Sequence, residues 1–257
     1  MASIWVTGSS AGIGQETALA LVNFGHRVVL HARSDERAAD AQKGVPGAAA
    51  VVIGDLSSLD ETQALAEAAQ QQGPFDAVVH NAGIGGGNGR RVLTADGLDP
   101  IFQVNVLAPY VLTALMLPPG RLVYLSSGLH YQGVFEPDDL ERQRRPGDGM
   151  RAYCDAKLCD VLLAFAVARL WPSTVSNAVD PGWVRTRMGG RGAPGPVSRG
   201  AETPIWLATS AEPSALLSGR YLKDRQPVPA NPAAYDQGLQ DALLRGCAAL
   251  SGVPFPA

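Results

Sequence analysis

The chain has 257 residues, 46% of them hydrophobic and 18% charged, a balance that gives a full core in one α/β domain and excludes a disordered chain. A net charge of −3 without a long basic run excludes nucleic acid as the expected partner, although Arg142, Arg144 and Arg145 form a small local cluster. Cys154, Cys159 and Cys247 are odd in number and fit no metal-ligand spacing, so reduced thiols in a cytoplasmic protein, with no metal site, are expected.

The first apolar run, Ile4, Trp5 and Val6, breaks into a turn holding Gly8, Gly12 and Gly14, and a helical pattern follows to Phe24. Strand, tight turn and helix make the first half of a βαβ unit. One glycine there serves the turn and another serves close backbone approach to a ligand. The helix start then favours a phosphate through its free N–H groups and dipole. The spacing is Gly-x-x-x-Gly-x-Gly rather than the common Gly-x-Gly-x-x-Gly, and its place between strand and helix predicts a dinucleotide site. A chain that enters its first strand by residue 4 predicts neither a signal peptide nor a membrane anchor.

A second strand is predicted over 27–32, then a charged helix from residue 35 capped by Ser34 or Asp35. A third strand over 49–53 leads to an alanine-rich helix over 59–72, and a fourth strand covers 74–80. This alternation predicts a parallel sheet covered on both faces, doubly wound, of about seven strands. The loop after the fourth strand is rich in glycine (Gly83, Gly85, Gly86, Gly87, Gly89), and the helix over 99–117 holds Asn105 and a Pro109 expected to kink it. A fifth strand over 121–127 ends in Ser126 and Ser127, at the edge where open α/β sheets place ligands. A polar excursion over 136–148 precedes a long helix over 150–170, whose apolar run 161–170 is too short for a bilayer. The sixth strand, 175–179, ends in Asp180, Pro181 and Gly182. Residues 187–200, rich in glycine and arginine without periodicity, are expected to be a mobile lid. A helix over 201–209, a strand over 219–222, a bend at Pro227, Pro229 and Pro232 and a last helix ending near Leu250 complete a single domain over 1–257. Residues 223–257 form its C-terminal tail.

Tyr153 and Lys157 are four apart, so both project from one helix face. An ammonium beside a phenol favours the phenolate, and a phenol so tuned exchanges protons near neutral pH. Ser127 is placed to donate a hydrogen bond to a substrate oxygen. Taken singly, each residue has a bland reading, since such pairs occur by chance on many helices.

Together these residues resemble the short-chain dehydrogenase/reductase family over nearly the whole chain. Thr7, Gly8, Ser10, Gly12, Ile13 and Gly14 match its cofactor turn, Asn81, Ala82 and Gly83 its tripeptide after the fourth strand, and Asp55 with Leu56 the pair beside the adenine. Asn105, Ser127, Tyr153 and Lys157 match its catalytic tetrad, and Pro181, Gly182, Val184 and Thr186 its nicotinamide segment. The resemblance implies hydride transfer between nicotinamide and a carbonyl carbon. Tyr153 would exchange the proton, Ser127 would hold the oxygen, with Ser126 as rival, and Lys157 would bind the ribose hydroxyls. Asn105 would hold a water that links Lys157 to solvent.

The second strand ends at Ala32, without the acid that usually binds the adenosine ribose of NAD. Arg33 follows, placed to pair with a 2′-phosphate, so NADP(H) is favoured over NAD(H) and carbonyl reduction over oxidation. In the opposing reading Arg33 is a solvated loop residue and Asp35 or Glu36 reaches the ribose. His80 is expected to be structural. Between Ser127 and Tyr153 stand 25 residues rather than roughly a dozen. That longer 128–152 segment resembles the retinol-dehydrogenase-like and protochlorophyllide-reductase-like branch, which implies a fairly apolar carbonyl or secondary alcohol as substrate. Its Tyr131 and Phe135 either line the substrate mouth or pad the surface. A cofactor-binding regulator and a scaffold are the readings from other classes, and retention of Tyr153 and Lys157 opposes the first. A homodimer or homotetramer paired through the helices carrying Asn105 and Tyr153 is expected.

Overall fold

The fold is that of a computed structural model, which describes residues 1–85, 92–140 and 148–256. Gly86, Gly87, Gly89, Arg142, Arg144 and Arg145 lie outside the described residues. Strands β1 (Ser3–Val6), β2 (Arg27–Ala32), β3 (Ala50–Ile53), β4 (Ala77–His80), β5 (Arg121–Leu125), β6 (Val175–Asp180), β7 (Arg220–Lys223) and β8 (Gln226–Val228) form one sheet. Its order is β3-β2-β1-β4-β5-β6-β7-β8. All neighbours are parallel except β7 and β8. The order reverses between β1 and β4, and the carboxyl ends of strands at such a reversal are where open α/β sheets place ligands.

Alternation along each strand sends side chains to opposite faces. Ile4 and Val6 join Val28, Leu30, Val79 and Val123 on the face covered by α1 (Gly12–Asn23), α2 (Asp35–Gly44) and α7 (Val197–Thr209). Trp5 joins Val29, Val78, Leu122 and Tyr124 on the face covered by α3 (Leu59–Gln70), α5 (Ala108–Leu115) and α6 (Gly149–Leu170). Ser34 caps α2, its hydroxyl accepting from Arg37 N–H at 3.3 Å. Helix α6 is buried on nearly all sides from Ala152 to Val167, because α8 (Gln237–Ser251) packs on the side that faces away from the sheet. The tail extends that cover: Tyr110 Oη donates to Val253 O at 2.8 Å and Trp171 stacks on Phe255. Helix α8 also packs on α5. Among the described residues no helix is long and apolar enough to cross a membrane.

Several expected boundaries differ. The helix around Asn105 is not a kinked rod but α4 (Pro100–Phe102), a π-turn (Gln103–Leu107) and then α5. Pro109 has no N–H to give the Asn105 carbonyl four residues back, so α-type bonding is interrupted there. β5 stops at Leu125, which leaves Ser126 and Ser127 just beyond the strand. Helix α7 begins at Val197, so the last four residues of the expected lid are helical. The proline-rich bend contains an eighth strand. Asp224 and Arg225 both take positive φ, which makes the two-residue hairpin turn that pairs Lys223 with Gln226.

Candidate active site

The glycine turn is lashed to the chain just after β4 by the side chains of Thr7 and Asn81. Thr7 Oγ1 accepts from the N–H groups of Asn81 and Ala82, each at 3.0 Å. Asn81 Nδ2 donates back to Thr7 O at 2.8 Å and Gly8 O at 3.1 Å. A Cβ on Gly14 would lie 2.3 Å from Asn81 Nδ2 and 2.5 Å from Gly8 O, so Gly14 serves this lashing and not only ligand approach. Gly8 takes φ +63° with a Cβ position 2.8 Å from Ala82 Cα. Helix α1 starts after Ala11, whose side chain caps nothing. Its first N–H groups, at Gly12 and Ile13, are therefore available to an anion, which fits a dinucleotide phosphate.

Beside the turn, the buried His31 bridges two strands. Its Nδ1 accepts from Gly8 N–H at 2.9 Å, so its Nε2 carries the proton donated to Gly54 O at 2.9 Å. Burial lowers the His31 pKa, against smaller opposing effects of Gly54 and Asp55, and the neutral ring suits both bonds. Arg33 is exposed at the end of β2. Arg37 on α2 pairs with Asp40 at 2.6 Å and donates to Ser10 Oγ at 3.2 Å, which brings a second guanidinium to the glycine turn. Asp55 is half-buried, with Oδ1 accepting from Ser57 N–H and Oγ–H, and Leu56 is buried behind it.

Further along the same edge the four expected tetrad residues hold distinct positions. Asn105 clamps the chain after β4: Oδ1 accepts from Ile84 N–H at 2.8 Å and Nδ2 donates to Ile84 O at 3.0 Å. A Cβ on Gly83 would lie 3.2 Å from Asn105 Oδ1 and 3.7 Å from Lys157 Nζ, which sets these groups side by side. The Lys157 Nζ is 5.6 Å from the centroid of the Tyr153 ring. It donates to Leu125 O at 2.8 Å and pairs with Asp160 at 2.7 Å. Ser126 is buried and its Oγ–H is committed to Lys157 O at 2.7 Å, tying α6 to β5. Ser127 Oγ instead accepts from Leu129 N–H at 3.2 Å, which leaves its own proton to donate. His80 is buried, stacked on Tyr124, with Nε2 3.2 Å from Thr113 Oγ1, and burial pushes its pKa down to about 3. It is a structural residue in this arrangement.

The rim is closed by β6 and the tail. Asp180 Oδ1 accepts from Gly182 N–H at 2.9 Å and its Oδ2 pairs with Lys223 at 3.3 Å, which shapes the turn after Pro181. Val184 is buried, and the Thr186 methyl approaches Gly12. The loop after Ser127 is stapled to the tail through His130. Its Nε2 accepts from Asn231 N–H at 3.1 Å, so Nδ1 carries the proton donated to Ser127 O at 2.8 Å. Tyr131 donates to Pro229 O while half of its surface stays exposed, and Trp183 and Met188 are exposed across the rim. Arg37, His31, Asp160, His130 and Asn231 were not singled out from sequence. An acid three residues after Lys157 inside an apolar helix was the one signal in the chain that pointed to any of them.

Residues 2–136 match the family described as short chain dehydrogenase. The uncharacterized oxidoreductase AN7799 of Emericella nidulans is 46% identical, over 100% of this chain and 99% of its own. A crystal structure of an uncharacterized protein from Mycobacterium paratuberculosis superposes with a TM-score of 0.86 at 25% identity, covering 100% of this chain and 96% of that one. The actinorhodin polyketide ketoreductase, solved with NADPH, superposes with a TM-score of 0.69 at 24% identity, over 86% and 95% of the two chains. With its doubly wound sheet, its glycine turn and this degree of likeness, the chain belongs to the short-chain dehydrogenase family of oxidoreductases, which act between CH–OH and C=O.

Proposed function

We propose that the protein is an NADP(H)-dependent carbonyl reductase acting on a fairly apolar aldehyde or ketone. The observation that supports this reading most is the Lys157 ammonium lying 5.6 Å from the Tyr153 ring centroid while bonded to Leu125 O at the end of β5, two residues before a Ser127 hydroxyl that keeps its proton to donate. The nicotinamide nucleotide supplies the hydride when bound. Ser127 Oγ–H donates to the substrate oxygen and holds it where negative charge develops. Tyr153 Oη gives that oxygen its proton. Lys157 keeps a positive charge near the phenol and offers an N–H to the ribose hydroxyls. Replacement of the Tyr153 proton passes through Lys157 toward a water, for which the Asn105 carbonyl, without an α-helical donor, is the acceptor.

Two guanidiniums favour the phosphorylated cofactor. Arg33 is exposed at the end of β2, and Arg37 already reaches Ser10. No acid stands at the end of that strand, and NADPH is the nucleotide in the polyketide ketoreductase of similar fold. The exposed Tyr131, Trp183 and Met188 support an apolar substrate at the rim. The test is nucleotide consumption across aldehydes and ketones of graded bulk, with NADPH and NADH run in parallel. Substrate-dependent oxidation of NADPH, strongest with apolar members, is expected. Tight NADPH binding with no turnover across the series would favour the regulator reading instead.

A further inference from the structure

The active-site lysine is not alone in its cavity. Lys157 is 5% exposed and Asp160, one helical turn on, is 3% exposed, and their Nζ and Oδ2 atoms are 2.7 Å apart. Two of the three ammonium N–H groups are thus directed, one to Leu125 O at the end of β5 and one to Asp160. The third has no acceptor among the described residues. A buried ion pair is an unpromising device for stability, because desolvation of both charges offsets their attraction and apolar side chains of similar size would serve as well. Its position over the end of β5 points to a task for the lysine instead.

We propose that Asp160 is a positioning residue of this active site, whose carboxylate fixes the Lys157 side chain against Leu125 and keeps it an ammonium, so that Tyr153 and the ribose subsite face a full positive charge. This inference rests on the catalytic reading of Tyr153 and Lys157 given above. Burial alone drives a lysine toward the neutral amine. In this cavity that pull is overcome, and the Lys157 pKa is raised, by Asp160 together with Tyr153. Asp160 itself is pushed up to about 6 by burial, with Lys157 opposing the rise. Besides Tyr153, the other titratable groups around the pair among the described residues are Tyr124 on β5 and His80 on β4. Tyr124 Oη is bonded to Thr113 at 2.8 Å and its pKa is raised by burial, while His80 stays neutral. Neither supplies a negative charge near neutral pH, and the Asp160 carboxylate, 2.7 Å from Nζ, is the acid in direct contact with Lys157.

The chain has three lysines, Lys43, Lys157 and Lys223, so carbon-13 labelling of lysine side chains gives a spectrum that Lys43→Arg and Lys223→Arg assign. Titration of the nucleotide-free protein is expected to keep Lys157 charged at least as far into alkali as the two exposed lysines. Asp160→Asn, isosteric and uncharged, is expected to release the Lys157 proton at least about tenfold more readily. In turnover the same variant loses its alkaline plateau at correspondingly lower pH, which a packing role alone would not produce. A Lys157 curve that superimposes in native and Asp160→Asn protein overturns the inference. So does a native Lys157 that titrates well before Lys43, and this second result needs no folded variant. The nuclear resonance result is independent of turnover. Failure of the catalytic reading would appear as undiminished activity of Tyr153→Phe and leave the titration standing.

Discussion

The two halves of the crevice are built by different means. Around β1 the glycine turn is fixed by neutral groups: Thr7 with Asn81 from beyond β4, Gly8 with His31 of β2, and an uncapped α1. On the β5–β6 side Lys157 is held by an ion pair inside α6, and the loop after Ser127 by a tail that returns from 101 residues away, where Asn231 meets His130. The first half is a backbone cradle. The second rests on an ion pair and on imidazole and amide side chains. The proposed function therefore predicts that nucleotide affinity and turnover can be damaged separately.

Gly14→Ala is the harshest way to break the first half. Its Cβ would meet both Asn81 and a backbone carbonyl, and overpacking of this kind costs roughly 1–3 kcal/mol. Nucleotide titration should show about a tenfold to hundredfold weaker affinity, with a lower melting temperature, since each tenfold is about 1.4 kcal/mol. Arg33→Ala sharpens the comparison within that half. Loss of a charge-assisted contact is worth about 1.5–3 kcal/mol, so NADPH affinity should fall by tenfold or more while NADH affinity barely moves. Equal losses for both nucleotides would return Arg33 to the role of a solvated loop residue.

The cradle was legible in the sequence because its signals lie within a few residues of one another: an apolar run, three glycines and a helical pattern at once after them. Tyr153 and Lys157 stood out through their spacing on one helix and Ser127 through its place at the end of one strand, whereas Asn105 entered only with the family resemblance. What stayed hidden depends on distance or on exceptions to local rules. β8 carries Pro227, tolerated because the strand is at the sheet edge, and its hairpin turn uses Asp224 and Arg225 where Asn and Gly are usual. Asp160 interrupts an apolar stripe, and only its contact with Lys157 explains it. The π-turn at Asn105 follows from Pro109, which a sequence pattern reads simply as a kink. His130 and Asn231 have no pairing signal at all across the intervening chain.

Asn231→Ala probes the second half most gently. It removes an amide that reaches the carbonyls of His130, Tyr131 and Gly133 at 3.2–3.4 Å, while the backbone N–H bond to His130 survives. A loss of about 1 kcal/mol in unfolding free energy is expected, with reduced kcat and unchanged NADPH affinity. Unchanged kcat would show that the tail supports the fold without positioning Ser127.

The most direct measurement compares Tyr153→Phe with the native protein in two assays, NADPH titration and carbonyl-dependent NADPH oxidation. The ring is kept and only the proton donor is lost, so turnover should fall by about 100-fold or more while NADPH affinity stays within a few-fold. Near-native turnover in the variant would contradict the catalytic account, and so would a loss of NADPH binding large enough to explain the whole effect.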